Sequence, residues 1–248
     1  MLIKKAADIK SSEITDPRVY ARRREFLKAA ALGAGAVVAG AVPAMSRSKP
    51  EPEPQAAPNW PRTPIQGVLD TPYGKGLPLT EYEHVTSYNN FYEFGTGKED
   101  PVRNAHTLKT RPWTVVVDGE CEAPGEIGIE DVLSGFPQEE RIYRLRCVEA
   151  WAMVVPWVGV PLADLLKRFK PTSKAKYVVF ETLVDSKQMP GQRRAILEWP
   201  YREGLRMDEA MHPLTILATG LYGELIPNQN GAPLRLVVPV SYTHLRAH

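Results

Sequence analysis

The chain has 248 residues, of which 43% are hydrophobic and 24% charged, and its formal net charge at pH 7 is +2. This composition is typical of one sizeable globular domain with extensions. So mild a positive charge, without a basic stripe interleaved with aromatic residues, excludes a nucleic-acid-binding protein. The 23 prolines separate short strand-like runs, which favours a loop-rich α+β domain over a helical bundle.

The first 44 residues are typical of an export signal. Arg22–Arg24 precede an apolar, alanine-rich run over residues 29–44, which is less apolar than the ~20 residues that a membrane span needs. The paired arginines resemble the twin-arginine signal, which directs folded proteins to the twin-arginine translocase. We therefore predict a twin-arginine signal peptide over residues 1–44 and a periplasmic location. An uncleaved amphipathic anchor is the alternative.

A proline-rich stretch follows the export signal. Prolines alternate with glutamates between residues 50 and 58, a pattern that cannot pack and that predicts a linker over residues 45–60. The folded domain is then predicted over residues 61–240.

Residues 88–95 are the first stretch that suggests chemistry. Aromatic side chains stand there beside Asn89, Asn90 and Glu93, so that stacking faces lie next to hydrogen-bonding groups. This combination is typical of a site for a flat heterocycle. In the alternative, the phenylalanines belong to the core and the asparagines cap turns.

The run at residues 141–147 is the centre of the sequence. Its alternation of apolar and charged residues predicts a half-buried strand that ends at Cys147, with Tyr143, Leu145 and Cys147 on one face. The three arginines of this run would stabilise a thiolate, the form that binds soft metals, or would hold an anionic cofactor. Cys147 could instead be an inert core residue, or form a disulfide with Cys121 in an oxidising compartment.

Other elements are predicted on both sides of this run. In chain order they are a strand over 113–117 closed by an Asp-Gly turn, an apolar loop over 151–159, a helix over 161–169, a buried strand over 177–182, a short helix over 207–211 and a strand over 214–218. His212 follows the short helix and is predicted to be a hydrogen-bonded structural histidine rather than a general base.

Near the end of the chain, Asn230-Gly231 predicts a turn before a short strand that carries Arg235. Arg235 lies among apolar neighbours, where a guanidinium is costly unless it pairs with an anion. We therefore expect a phosphate or a carboxylate beside it. A solvent-facing arginine is the alternative.

Several motifs, in this order, resemble those of one known family, the periplasmic protein-methionine-sulfoxide reductase catalytic subunits. The motifs are Tyr88–Gly95, Arg146–Trp151 with Val154–Trp157, Gln188–Gln192, Asp208–Leu214 and Gln229–Pro233. The resemblance covers residues 79–239, and several motifs in the right order are far more specific than any one of them.

The resemblance implies an α+β fold of the sulfite-oxidase type that holds molybdenum through molybdopterin. In that family pattern Cys147 is the catalytic thiolate ligand of the metal. The positions that match the family's other cofactor contacts are Asn89, Tyr92, Glu93, Thr182, Asn230 and Arg235, the last of them at the phosphate.

The resemblance also implies an activity and partners. The family repairs oxidised periplasmic proteins by reducing methionine sulfoxide through oxygen-atom transfer, as a monomeric catalytic subunit that receives electrons from a haem-containing membrane subunit, MsrQ. Because the substrate belongs to another protein, we expect a shallow pocket, flanked by Trp151 or Trp157.

The sequence departs from the family after Val238-Pro239. The family continues with Trp-Lys-Tyr-Gly-Phe-Lys-Gly and contributes a lysine to the cofactor phosphate, whereas this chain continues with Val240 and residues 241–248. We expect residues 241–248 to be non-native sequence and the domain to be truncated.

Three other functions remain open from the residues. The first is a related enzyme that oxidises sulfite. The second is a cysteine hydrolase that pairs Cys147 with His212 or His84, although no nucleophile motif is recognisable. The third is an exported, non-catalytic binding domain with a Cys121–Cys147 disulfide.

Overall fold

The computed structural model of the protein describes residues 60–147 and 149–238. The predicted signal peptide, the linker up to residue 59 and the predicted tail over 241–248 lie outside this range. Within it, no helix is long and apolar enough to cross a membrane.

Helices and strands are mixed along the described chain. The α-helices are α1 (Tyr82–Ser87), α2 (Asp100–Asn104), α3 (Ile129–Gly135), α4 (Leu162–Phe169) and α5 (Met207–Ala210). The strands are β1 (Thr114–Val117), β2 (Gly125–Gly128), β3 (Glu139–Arg146), β4 (Ala152–Pro161), β5 (Tyr177–Glu181), β6 (Arg202–Arg206), β7 (Ile216–Leu221), β8 (Glu224–Leu225) and β9 (Arg235–Val237). Single 3-10 turns occupy Ala105–Thr107, Pro190–Arg193 and Asn228–Asn230.

A five-stranded antiparallel sheet organises the fold. Its strands follow the order β3-β4-β7-β8, and β9 pairs with β7 as well. All six residues of β7 are buried, which places this strand at the centre of the core. Two further pairs, β1 with β2 and β5 with β6, form separate antiparallel hairpins. The α+β class predicted from the sequence is confirmed.

Residues 152–161 form strand β4, so the loop predicted over residues 151–159 is wrong. This strand is buried from Val155 to Val160, and a strand buried on both faces shows no alternation by which it could be recognised. Its register shifts at Gly159, where a Cβ would overlap the carbonyl oxygen of Leu217. Glycine is therefore required where β4 and β7 approach most closely.

Helix α4 is confirmed, and it covers one side of the sheet. Leu162, Leu165, Leu166 and Phe169 are all buried and pack in a cluster with residues of β2 and α3. Pro161 lies one position before the first helical residue, where its missing N–H costs no helical hydrogen bond. The helix ends at Lys170, whose left-handed backbone (φ 51°) breaks the repeat.

The remaining predicted elements are present with two corrections. Strands β1 and β9, helix α5 and the turn at Gly231 (φ 101°) are confirmed, and the strand predicted over 214–218 begins at Ile216. Strand β5 is not buried: Tyr177 is 69% exposed and Val179 67%, whereas Val178 and Phe180 pack on the core. Because the apolar residues of β5 are consecutive in sequence, the alternating burial of this strand could not be recognised from them.

Candidate functional site

Cys147 lies in the tight connection between β3 and β4, directly after the last residue of β3 as predicted. Its N–H donates to the carbonyl of Trp151 at 2.9 Å, and the N–H of Ala150 donates back to the carbonyl of Cys147 at 3.0 Å. Ala150 has a φ of 80°, a left-handed conformation that a non-glycine residue adopts only in a constrained turn. The hairpin therefore fixes the backbone from which the thiol projects.

A carboxylate and an amide flank the thiol. The Sγ of Cys147 lies 3.9 Å from the Oε2 of Glu149 and 3.6 Å from the Nδ2 of Asn90. Lys98 donates to the other oxygen of Glu149 at 2.6 Å, and the indole N–H of Trp151 donates to Oε2 at 2.9 Å. These donors, Lys98 foremost, lower the pKa of Glu149 to about 2, so the residue is a carboxylate at neutral pH.

Asn90 belongs to the 88–95 stretch noted in the sequence, whereas Lys98 and Glu149 were not singled out from it. Glu149 is two residues from Cys147, and that spacing in the motif was an available signal. Lys98 had none, because only the fold brings it within 2.6 Å of Glu149.

The three arginines predicted to stabilise the thiol differ in their surroundings. Arg141 is buried and is bound by Glu139 at 2.6 Å and by the carbonyl of Pro213 at 2.5 Å. Arg144 and Arg146 are exposed, and none of the three has a hydrogen bond to Cys147 in the described structure. A strand advances ~3.3 Å per residue, so residues close in sequence to Cys147 are spread along β3 rather than gathered around it.

A second group of polar side chains lies where α1 meets the turn before β9. The amide nitrogens of Asn89 and Asn230 both donate to the carbonyl of Val85, at 3.0 Å and 2.9 Å. The Oδ1 atom of each is buried and lacks a hydrogen-bond partner in the described structure, as do both amide atoms of Gln229. A buried polar group without a partner costs about 1–3 kcal/mol, which a bound ligand with N–H donors would recover.

Arg235 adds a positive charge to this group of polar side chains. Its guanidinium donates to the carbonyl of Asn230 at 3.1 Å and lies 5.0 Å from the ring centre of Trp157. Arg235 is an exposed residue, as the solvent-facing alternative expected, although the protein packed around its guanidinium lowers the pKa by desolvation. No carboxylate of the described chain pairs with it. An unpaired guanidinium in this position suits a phosphate.

Tyr92 and Glu93 lie between the two groups. Glu93 is buried, and the loss of solvent raises the pKa of its carboxyl group. Gly191 packs directly against this segment. The N–H of Gly191 donates to the carbonyl of Glu93 at 2.7 Å, and a Cβ atom at position 191 would overlap the carbonyl oxygen of Tyr92. The loop that carries Gly191 begins at Thr182, whose hydroxyl accepts the N–H of Tyr201 at 3.1 Å.

The predicted site residues therefore join through the segment over residues 89–93. Direct hydrogen bonds link this segment to Cys147 through Asn90 and to Gly191 through Glu93. The link to Arg235 is indirect: Asn89 shares the carbonyl of Val85 with Asn230, whose own carbonyl accepts from Arg235. This arrangement offers a thiol for a metal, buried acceptors for the N–H groups of a heterocycle and a cation for a phosphate. The residues present fit a molybdopterin that carries a metal.

Of the two tryptophans expected beside the pocket, Trp151 is next to the thiol and Trp157 is not. Trp151 is half-buried and meets the ring of Tyr88 edge to face, with ring centres 5.5 Å apart. Trp157 is 4% exposed and lies under Arg235.

The alternatives based on other cysteine chemistry find no support. Cys121 and Cys147 are both free thiols, and Cys121 packs at the edge of the cluster around α4. His212 accepts the N–H of Leu214 at 3.2 Å, which confirms a structural role, and His84 faces Glu81 at 3.5 Å. In the described structure the thiol of Cys147 has hydrogen bonds with Asn90 and Glu149 alone.

Comparison with known proteins identifies the class. Residues 102–246, more than half of the chain, match the family model described as an oxidoreductase molybdopterin binding domain. The chain is therefore a molybdopterin-binding oxidoreductase.

Two curated relatives narrow the assignment. A protein of Xanthomonas axonopodis pv. citri is 56% identical over 98% of this chain, and one of Pseudomonas syringae pv. tomato is 52% identical over the same share. Both bear the name protein-methionine-sulfoxide reductase catalytic subunit MsrP, and this chain covers 72% and 74% of their lengths. The chain belongs to the MsrP family.

One solved structure is also similar, the sulfane dehydrogenase SoxCD of Paracoccus pantotrophus. The identity is 17% and the TM-score 0.45, with 82% of this chain and 54% of that chain covered. A likeness at this level adds nothing to the assignment.

Proposed function

We propose that this chain reduces methionine sulfoxide in oxidised proteins, with molybdenum held by molybdopterin and by the thiolate of Cys147. The observation that carries the proposal is a set of three kinds of group: the thiol of Cys147, the buried amide oxygens of Asn89 and Asn230 that lack partners in the described structure, and the guanidinium of Arg235. They occur in a chain whose 56% identical relative bears this activity in its name. The overall reaction converts a sulfoxide, two electrons and two protons into a thioether and water.

Each side chain of the set has a part in holding the cofactor. Cys147 is the protein ligand of the metal, and when bound the metal group supplies the two-electron chemistry that removes the sulfoxide oxygen. The Oδ1 atoms of Asn89 and Asn230 accept N–H groups of the pterin, and Arg235 binds its phosphate. Tyr92, Glu93 and Thr182 would be further contacts of the cofactor, as the family resemblance implies.

The groups beside the thiol prepare the substrate side of the site. Glu149 is ionised, and Lys98 and Asn90 hold it next to Cys147. A fixed carboxylate–ammonium pair can orient the S–O dipole of a sulfoxide and pass protons to the oxygen that leaves as water.

The wider setting of the protein is part of the same proposal. Residues 1–44 are a twin-arginine signal, residues 45–60 a linker and residues 61–240 the cofactor domain, so the folded protein acts in the periplasm. Electrons come from a haem-containing membrane subunit, MsrQ, as the family resemblance implies. The words "catalytic subunit" in the names of the relatives are consistent with such a partner.

The test compares two cysteine variants, each expressed with molybdate as the full chain. Cys147→Ser should lose at least ten times more molybdenum than Cys121→Ser and should no longer reduce methionine sulfoxide. Both variants should keep the far-ultraviolet circular dichroism of the parent, since neither thiol is bonded to another residue's sulfur. Equal molybdenum contents and equal turnover in the two variants would refute the assignment of Cys147.

A further inference from the structure

Strand β3 is the edge strand of the five-stranded sheet, and only half of its outer edge is paired. The N–H groups of Glu140 and Ile142 donate outward to the carbonyls of Leu69 and Tyr73, at 2.9 Å and 3.1 Å. The outer segment ends in the turn at Gly74, which packs so closely on Ile142 that a Cβ there would overlap its carbonyl oxygen. Beyond Ile142 this segment no longer accompanies β3.

The second half of the edge, from Arg144 to Arg146, points its backbone groups outward. In an antiparallel strand, alternate residues turn their N–H and C=O groups to the same side, so Arg144 and Arg146 repeat the direction of Glu140 and Ile142. Val154 of β4 lies opposite Arg144, and its backbone groups also point away from the β3–β4 pair. Its N–H donates to the hydroxyl of Thr80 at 2.9 Å, and its carbonyl accepts the N–H of Thr80 at 3.0 Å.

This half of the edge is open. Within the described chain the N–H groups of Arg144 and Arg146 have no hydrogen-bond partner, and the residues from 144 to 146 are all exposed. The thiol of Cys147 follows at the next position. Since a strand advances ~3.3 Å per residue, a chain paired with Arg144–Arg146 would reach Cys147 within one or two residues.

We propose that the open edge of β3 binds an extended segment of the substrate polypeptide as an added strand, and so delivers its methionine sulfoxide to Cys147. The inference rests on the proposed function and adds the mode of recognition. Main-chain hydrogen bonds of an added strand do not depend on sequence, which suits an enzyme that must accept methionine sulfoxide in many proteins. A folded substrate could not pair in this way, so the preferred substrate is an unfolded or flexible segment.

Charge narrows the preferred segments further. Arg144 and Arg146 carry exposed guanidinium groups that form no ion pair in the described structure. Aspartate or glutamate next to the methionine sulfoxide is therefore favoured. Charged residues on an edge strand also discourage pairing with the edge of another copy of the protein. The same two arginines would therefore favour acidic segments and limit aggregation.

The first arm of the test uses Arg144→Pro and Arg144→Ala in the holoprotein. Both variants lose the same charge, but only proline removes the outward N–H, and an outward-facing position on an edge strand tolerates proline. For an acidic, unstructured peptide that contains methionine sulfoxide, Arg144→Pro should raise KM about tenfold over Arg144→Ala, with kcat unchanged. Turnover of free methionine sulfoxide should be the same in both variants.

The second arm of the test measures amide hydrogen exchange at the open edge of β3. The amides of residues 144 and 146 should exchange quickly in the free holoprotein and slowly with the peptide bound, and an analogue N-methylated beside the methionine sulfoxide should give no protection. Slow exchange without peptide would show that another part of the chain covers the edge, and would overturn the inference. So would equal KM values for the two variants.

The two proposals fail in different ways. If the parent protein does not reduce free methionine sulfoxide, the proposed function is wrong, whatever the peptide does. If it does reduce free methionine sulfoxide but neither KM nor exchange at residues 144 and 146 responds to the peptide, only the strand-addition inference is wrong.

Discussion

Two arginines of this protein, Arg141 and Arg235, differ in how the surrounding protein pairs their charges. Arg141 is 4% exposed and is satisfied within the protein by Glu139, Tyr143 and the carbonyl of Pro213. Arg235 has one carbonyl as its partner and no carboxylate in the described structure. The difference teaches that the protein itself neutralises the buried charge of Arg141, whereas Arg235 keeps a guanidinium that a ligand could pair.

The same contrast separates neutral groups. In the sheet, the hydroxyl of Thr219 donates to the side chain of Gln138 at 2.7 Å, and Gln138 in turn donates to the carbonyl of Val132 at 3.1 Å. Near the turn before β9, the amide oxygens of Asn89 and Asn230 have no such partner among residues 60–147 and 149–238. The interior of the sheet is complete without a ligand, whereas the site is not.

The largest effect that would test this contrast is expected from replacing the two arginines by methionine. Arg141→Met should lower the free energy of unfolding by about 3 kcal/mol or more, because it leaves Glu139 and the carbonyl of Pro213 without their partner in the interior. Arg235→Met should lower it by about 1 kcal/mol at most, since one hydrogen bond is lost. Urea unfolding of the cofactor-free proteins measures both values.

The effects of the two substitutions on cofactor retention should have the opposite order to their effects on stability. Arg235→Met should bind molybdopterin more weakly than the parent protein, while Arg141→Met should keep its cofactor under conditions in which it is folded. If both variants lost stability equally and kept the cofactor equally, the distinction between paired and unpaired charges would be wrong.

A smaller effect is expected at two glycines that differ only in their surroundings. A methyl group at Gly191 would push on the carbonyl of Tyr92, whereas one at Gly204 would meet open space. Gly191→Ala should therefore cost about 1–3 kcal/mol of stability and also shift the segment that holds the cofactor. Gly204→Ala should be neutral or slightly stabilising, because alanine restricts the unfolded chain.

Thermal unfolding and molybdenum content measure the two consequences at Gly191. A stability loss with full molybdenum content would show that the Tyr92–Glu93 segment supports the fold but not the cofactor. The same loss in both variants would show that the contact with Tyr92 does not decide the outcome.

Some of these features could be predicted from the sequence and others could not. Helix α4 and strand β3 follow from local periodicity. The run that ends at Cys147 indicated the thiol, and the aromatic and amide residues at 88–95 indicated the 89–93 segment. The role of Arg141 was misjudged, since its partner at Pro213 is 72 residues away in sequence. Strand β4 was missed because its burial on both faces erases the alternation by which strands are recognised. Contacts between distant parts of the chain, such as Lys98 with Glu149, are set by the fold and leave no local pattern.

The smallest effect concerns Lys98 and Glu149, which are paired like Arg141 yet belong to the site. The folded-state pKa of Glu149 is lowered to about 2, so its ionisation favours the folded state above the ordinary carboxyl pKa and this contribution is lost as pH falls towards 2. In Lys98→Met that loss should begin at higher pH, since the first of the stabilising donors is gone, and the carboxyl titration followed by carbon-13 NMR should move up. Lys167→Met, which breaks the pair with Asp164 on the far helix α4, should leave the titration of Glu149 in place. If Glu149 titrated identically in both variants, Trp151 and Asn90 alone would hold its charge, and the site's carboxylate would be independent of the ammonium group proposed to assist the sulfoxide.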